Sequence, residues 1–306
     1  MSPTGQAPRV VEGSPHALPM LLRAAIPSIP VVNVLPGIRR HGGELPDLAL
    51  TRHDVPIDAD HVAAYARVCG FPRKDTVPLT YPHLLAFGLH MSIMSDSSFP
   101  FPAIGTVHLE NAVTQHRPVA LTERLQVTAR AENLRAHAKG RVFDMVTTVH
   151  SAGELVWEET STFLRRGAPT GSGDDPAIGE AGSSFPEAPP TGIVWKLPAD
   201  LGRRYAAVSG DHNPIHLYPL TARALGFPRQ IAHGMWSKAR CVAMLENRLP
   251  DAVRVQVAFK KPILLPGSVA FGSRALEREG TAPGWAFSLS SPRSGAPHLA
   301  GRTEAP

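Results

Sequence analysis

Residues 205–235, YAAVSGDHNPIHLYPLTARALGFPRQIAHGM, gather carboxylate, imidazole, amide and glycine groups around the start of one short predicted helix. Asn213 is a good N-cap and Pro214 a good first helical residue, because the N–H that proline lacks would be orphaned there anyway. Leu217, Leu220, Ala224 and Leu225 then form an apolar stripe, and Gly226 before Phe227-Pro228 supplies a left-handed stop. Asp211 falls just outside the helix and His216 in its first turn, so both side chains can converge at its mouth. The positive end of a helix favours a carboxylate at Asp211 and disfavours a second proton on His216.

A neutral imidazole beside an ionised carboxylate suits general acid–base work on a water held between them. Gly234, within Ile231-Ala232-His233-Gly234-Met235, opens a further predicted helix, so its N–H is a candidate donor to an oxyanion. Activated water and a polarised carbonyl together point to addition next to a thioester. Plainer readings exist for the same residues. Asp-x-Asn-Pro also serves as a simple capping device, and His233 reads as an orienting or structural histidine. No paired cysteine or His-x-x-x-His lies nearby, which argues against zinc.

The set Tyr205-Ala206, Ser209-Gly210-Asp211, Asn213-Pro214-Ile215-His216, Gly226-Phe227 and Ile231 to Met235 resembles the MaoC-like, (R)-specific enoyl-CoA hydratases and 3-hydroxyacyl-thioester dehydratases. The resemblance implies a hotdog fold whose overhanging segment carries the chemistry. Carried over, Asp211 and His216 become the acid–base pair, Asn213 their support and the Gly234 N–H the carbonyl-polarising donor. Ser209, Tyr205, His233 and Met235 become substrate-binding residues. Leu217 stands where many relatives have an acidic residue, which bears on how the segment is held. The implied reaction needs no metal or redox cofactor, and its partner is an acyl-CoA or acyl carrier protein thioester. A hotdog thioesterase and a noncatalytic acyl-thioester binding protein are the alternatives. Neither has an evident use for Asp-x4-His.

The whole chain of 306 residues, 43% hydrophobic, has room for one large or two modest cores. Two cysteines, Cys69 and Cys241, form no disulfide framework and suit a reducing, cytoplasmic setting. The net charge of +5 is spread over short basic pairs such as Arg39-Arg40 and Lys260-Lys261, with aromatics at only 6%, so no nucleic-acid surface is expected. Between Leu18 and Pro36 the chain is apolar, but Arg23 and four prolines interrupt it. That argues against a membrane span or signal peptide and for a short docking helix with an extended arm.

Beyond this arm (1–47) the sequence divides into a unit at 48–165, a Gly/Pro/Ser-rich linker at 166–195 and a unit at 196–306. In the first unit, Val62, Tyr65, Ala66 and Cys69 mark a helix, Pro82 to Met94 a second and uniformly apolar one, and four strand-like runs follow between Thr106 and Leu164. The second unit repeats that order, ending in strands at Val253–Phe259, Ser268–Ala275, Trp285–Leu289 and His298–Arg302. Tyr65-Ala66-x-Val68-x-Gly70 matches Tyr205-Ala206-x-Val208-x-Gly210, Gly-Phe-Pro-Arg occurs at 70–73 and 226–229, and Pro118 matches Pro262. An internal repeat of this kind predicts an α+β tandem, or double, hotdog.

The repeats differ in one place. Gly70 to His83 spans 13 positions and Gly210 to His233, its proposed counterpart, spans 23. The first unit thus lacks the segment bearing Asp211 and His216 and is expected to be degenerate, with Tyr81 to Met94 lining an acyl tunnel. Such a pseudo-dimer satisfies its own sheet pairing and leaves a further homodimer open.

Overall fold

The computed structural model describes residues 7–13, 43–102, 105–168, 170, 185, 192–277 and 284–306. The arm at 14–42, and with it the expected docking helix, lies outside them, as does most of the linker. In chain order the elements are β1 (Arg9–Val10), β2 (Ala49–Pro56), α1 (Ala59–Cys69), α2 (Pro82–Ser95), β3 (Thr106–Gln115), β4 (Arg124–His137), β5 (Gly140–Ser151) and β6 (Glu154–Arg166). After the linker come β7 (Ile193–Leu197), α3 (Leu201–Ser209), a 3₁₀ turn (Pro214–His216), α4 (Pro219–Ala224), α5 (Gly234–Leu245), a second 3₁₀ turn (Glu246–Arg248), β8 (Val253–Phe259), β9 (Gly267–Leu276), β10 (Gly284–Ser290) and β11 (Pro297–Glu304).

The strands form one 11-stranded sheet in the order β1-β2-β4-β5-β6-β3-β8-β11-β10-β9-β7. Read outward from the β3–β8 seam, the two halves have the same order apart from β1, added at the outer edge of the first, so the repeat seen in sequence is a repeat in space. Matching Pro118 to Pro262 makes Ala112 the counterpart of Gln256, and those two residues face each other across the seam. A pseudo-twofold axis therefore passes through this pair. It also passes between Tyr65 and Tyr205, repeat-equivalent residues whose rings lie 6.3 Å apart. Each half-sheet curls over its own helix, α2 in the first unit and α5 in the second, as a tandem hotdog requires.

Local chemistry explains the helices that frame the site. Asp58 caps α1 by accepting from the N–H groups of Asp60 and His61, and Gly70 closes it in the left-handed conformation (φ 80°). The uniformly apolar α2 is wrapped by sheet, with Ala86, Leu89, His90, Met91, Ile93 and Met94 buried. Gly210 ends α3 as Gly70 ends α1. Across the axis, His61 Nε2 reaches the Val208 carbonyl at 2.8 Å and the Trp236 indole N–H donates to the Val68 carbonyl at 3.1 Å.

Several expectations are corrected. Strands β2 and β7 have no counterpart in the sequence reading, and β7 moves the end of the linker from 195 to before Ile193. The helix expected from Pro214 to Leu225 is broken at Leu217 and Tyr218, because Pro219 drives Tyr218 into extended geometry (φ −141°, ψ 151°). Its stripe does not face the core. Ala222 is buried, whereas Leu220 is 77% exposed and Leu225 also faces out. The proposed pairing of His83 with His233 shifts as well. Equivalent bonds, Val77 N–H to Val119 O and Ala232 N–H to Ile263 O, set Val77 opposite Ala232, so His83 begins a turn later than His233.

A buried polar network occupies the first unit. His83 Nδ1 lies 2.9 Å from both Glu159 oxygens, and Asn111 Nδ2 donates to Glu159 Oε1 at 2.5 Å and to Ser161 Oγ at 2.9 Å. Burial works against ionisation of Glu159, but His83 and Asn111 outweigh it and hold the carboxyl at about 2. Both cysteines are free and buried, and burial pushes their thiols up, away from reactivity.

Burial holds the His90 and His233 imidazoles at about 3, and both are neutral at pH 7. In the unfolded chain each titrates near 6.5. Below that value the unfolded state binds protons that the fold refuses, so stability is lost as pH falls from 6.5 towards 3. Each group contributes about 1.4 kcal/mol per pH unit within that window. Thermal unfolding followed by circular dichroism should show a midpoint falling steeply below pH 6.5. His90→Gln, which keeps a partner for Thr147, should flatten that slope; an unchanged slope would show that His90 is not a source of it.

Candidate active site

The segment between α3 and α5 is held over the sheet by bonds that its own residues supply. Ser209 Oγ accepts from the Asp211 N–H at 3.2 Å, Asp211 Oδ1 from the Asn213 N–H at 3.1 Å, and Asn213 Oδ1 from the Ile215 N–H at 3.4 Å. Each short polar side chain thus caps the backbone two residues on, an Asx-type turn repeated down the loop. Asn213 works as the expected N-cap, but of a 3₁₀ turn. Thr221 Oγ1 donates back to the Pro214 carbonyl at 2.7 Å and ties α4 to that turn.

Three bonds join this segment to the strand-like residues before α5. The Ile231 N–H donates to Ile215 O at 3.0 Å, His216 Nδ1 lies 2.9 Å from Ile231 O, and His233 Nε2 lies 3.0 Å from Asp211 O. A carbonyl only accepts, so His216 carries its proton on Nδ1 and presents a bare Nε2. By the same logic His233 is protonated on Nε2, and its buried Nδ1 has no partner. The two rings stack with centroids 3.7 Å apart, and Tyr205 packs on His233 at 4.9 Å.

Electrostatics divides the roles. Burial drives the His216 and His233 imidazoles below their ordinary range, and Asp211 opposes this without reversing it. Burial alone would raise the Asp211 carboxyl, but His233, His216 and the Asn213 N–H hold it below the usual carboxylate range. Its side chain is 26% exposed, while those of the two histidines are buried, so solvent meets this cluster at the carboxylate. The result is an ionised acid beside two neutral imidazoles.

Gly234 begins α5 directly after His233, and no side chain caps that helix. The N-terminal N–H groups there are the ordinary orphans of a helix start, with the positive end of its dipole behind them. A Cβ at Gly234 would lie 3.1 Å from the Phe259 ring, so a larger residue there would have to press that ring back by a few tenths of an ångström. Gly202 plays the same part below. A Cβ there would sit 1.9 Å from the His216 carbonyl oxygen, which is how α3 and the 3₁₀ turn pack backbone to backbone.

Of the residues expected at the site, Asp211, Asn213, His216, His233 and Tyr205 come together, with Gly234 adjoining. Ser209 serves the loop backbone, and Met235 points into the core. The sequence reading missed Gly202, Phe259 and the Ile231 carbonyl; a small residue inside the amphipathic pattern of α3 was the available signal for the first. One ligand-type atom from each of Asp211, His216 and His233 lies within 4.8 Å of the others, so the cluster has the donors for a metal ion although the sequence spacing shows none. A pocket of about 270 Å³ lies apart from these residues, lined by Trp195, Leu197, Pro198, Leu201, Trp236, Lys196 and Arg240.

Residues 186–277 match the MaoC like domain model. Over 285 residues the chain is 42% identical to 3-hydroxyacyl-thioester dehydratase X of Mycobacterium tuberculosis, covering 93% of this chain and 96% of that protein. The crystal structure of HtdX from the same organism superposes with a TM-score of 0.72 at 40% identity, over 84% of this chain and 100% of the other. A further M. tuberculosis protein, described as a double hotdog, shares the fold at a TM-score of 0.52 and 13% identity, over 82% of this chain and 92% of its own. With the repeat, the overhanging segment and the Asp/His cluster in place, this near full-length identity establishes that the chain belongs to the MaoC-like dehydratase family.

Proposed function

We propose that the protein interconverts an (R)-3-hydroxyacyl thioester with the trans-2-enoyl thioester and water, on CoA or an acyl carrier protein. The observation that carries this reading is an ionised Asp211 beside a neutral His216 whose Nδ1 is tied down and whose Nε2 is bare, next to the uncapped start of α5. The name of the 42%-identical relative supports the hydro-lyase class.

In hydration, a water lies between the Asp211 carboxylate and His216 Nε2. One of them takes its proton as the oxygen bonds to C3. The C2=C3 electron pair moves toward the carbonyl, and the Gly234 N–H receives the developing enolate oxygen. A proton returned to C2 completes the addition of H and OH. Dehydration runs the same steps backwards. Asp211 and His216 interact closely enough to titrate as a pair, so the proton belongs to both. His233 orients the loop through its bond to Asp211 O, and Tyr205 closes the floor under its ring.

For the acyl chain, the first unit supplies α2. Its Leu84, Leu85 and Phe87 are half-buried, and Phe87 Cδ1 comes within 3.9 Å of the Cβ position of Gly210, beside Asp211. An apolar helix flank reaching the acid–base pair suits an acyl tail better than a charged one.

Loss of the ultraviolet enoyl-thioester absorbance should report hydration by the purified protein across short and long acyl chains. Asp211→Asn and His216→Ala should each lower kcat by roughly a hundredfold or more, as removal of an acid–base group does. Free CoA released without hydration would instead indicate a thioesterase, and tight binding without turnover a binding protein. Gly202→Ala should push the His216 backbone out of place and reduce turnover by about ten- to a hundredfold with the circular dichroism spectrum retained. Full activity in that variant would show that the contact with His216 is not needed.

A further inference from the structure

Lys238 is the one fully buried lysine among the described residues, and the mechanism above does not use it. It lies four residues after Gly234 on α5, hence on the same helix face. Its Nζ donates to the Val255 carbonyl of β8 at 3.0 Å, to the Asn111 carbonyl of β3 at 3.3 Å and, at short range, to Asn111 Oδ1. Those three acceptors match the three protons of the charged amine, which burial brings down to about 7.

The placement is specific. By the match of Pro118 with Pro262, Asn111 and Val255 are repeat counterparts, so Lys238 grips the same position in both units at the seam. Asn111 carries the connection onward to Glu159 and Ser161, and Glu159 to His83 in the first turn of α2. All of these side chains are buried. A continuous polar chain thus runs from the face of α5 that begins at Gly234 to the central helix of the other unit.

Burying a charge is costly, and an apolar residue of similar volume would pack this seam without it. Directional bonds do something that packing does not. The rest of this α5 face is Cys241, Val242 and Leu245, a smooth apolar surface that would tolerate small axial slips. Elsewhere the helix is tied by the Ala232 N–H to Ile263 O just before its start and by Trp236 to the Val68 carbonyl on another face, and Lys238 supplies the directional bonds on the face that begins at Gly234.

We propose that Lys238 is a positioning residue for the oxyanion donor: its three bonds across the unit seam fix the axial place of α5, and so the aim of the Gly234 N–H. This rests on the role proposed for Gly234. It gives the first unit, which lacks an acid–base pair, a part in catalysis through Asn111.

The test compares Lys238→Met with Val242→Ala, a truncation on the same apolar face of α5 that costs stability without touching the three bonds. Kinetics with enoyl-CoA should show kcat lowered about tenfold or more in Lys238→Met, part of the 10²–10³ that losing an oxyanion donor costs. KM should stay within about twofold. Val242→Ala should lose thermal stability and keep kcat. An equal fall of kcat in both variants, or an unchanged kcat in Lys238→Met, would reduce Lys238 to a structural residue and overturn the proposal. Should Lys238→Met fail to fold, Asn111→Ala, which removes one acceptor of the three, carries the same kcat and KM comparison.

An infrared measurement separates the two readings. With carbonyl-labelled enoyl-CoA bound to inactive Asp211→Asn, the thioester carbonyl band should shift to lower frequency, and in Asp211→Asn/Lys238→Met it should move back. Equal shifts in both variants overturn the role of Lys238 alone. No shift in Asp211→Asn would remove the oxyanion role of Gly234 and the proposal with it.

Discussion

The antiparallel pairing of β3 with β8 is the constraint on which the rest of the molecule depends. Two half-sheets of matching core order meet there at equivalent residues, Ala112 and Gln256, and fuse into one sheet. Joining the two edges leaves no exposed strand at the centre, where an unpaired edge would invite association. The same axis brings α1 against α3, sets Tyr65 beside Tyr205 and makes each central helix available to the other unit. The site stands on that arrangement. Its loop springs from α3, its helix start belongs to α5, and Phe87 arrives from α2.

Within this symmetric frame the segment on which the proposed function rests is asymmetric. The first unit passes from Gly70 to its sheet contact at Val77 in a short loop, whereas the second takes the longer route from Gly210 to Ala232. The added segment has little apolar surface to bury, and two of its leucines face outward. It is ordered instead by hydrogen bonds, most of them from short polar side chains to the backbone nearby. A loop held in this way spends its polar atoms on structure and keeps a few bare: an Asp211 oxygen, His216 Nε2 and the helix-start N–H. Burial then removes the second proton from both histidines, and the carboxylate keeps its charge at the open side.

The first unit fills the corresponding interior differently. Where a catalytic unit has a cluster reached by solvent, it has Glu159 locked between His83 and Asn111, closed on every side. Fully partnered buried charges of this kind are rigid, because moving any member strands the others. The first unit, whose acid and imidazole are locked to each other, thereby becomes a stiff support for the second.

Periodicity and punctuation were enough for most elements: α1, α2, α5 and the eight long strands follow from apolar spacing, glycine stops and β-branched runs, and the internal repeat showed that there are two units. That Asp211, Asn213 and His216 gather beside the helix start at Gly234 was legible too, because loop, cap and helix start are local and their residue types are specific. What the sequence alone could not decide involves partners far apart in the chain. The outer strands β2 and β7 are short or mixed in pattern, and their pairing with β4 and β9 makes them strands. Leu220 and Leu225 keep helical spacing, yet the break before Pro219 turns them outward. His83, Asn111, Glu159 and Lys238 are separated by tens of residues and looked like isolated polar groups in apolar runs; the folded sheet alone brings them within hydrogen-bonding distance. Local chemistry thus determined what each segment is, and the pairing of distant strands decided which polar groups meet, because the cost of burying them is met only by partners that the chain brings together as it folds.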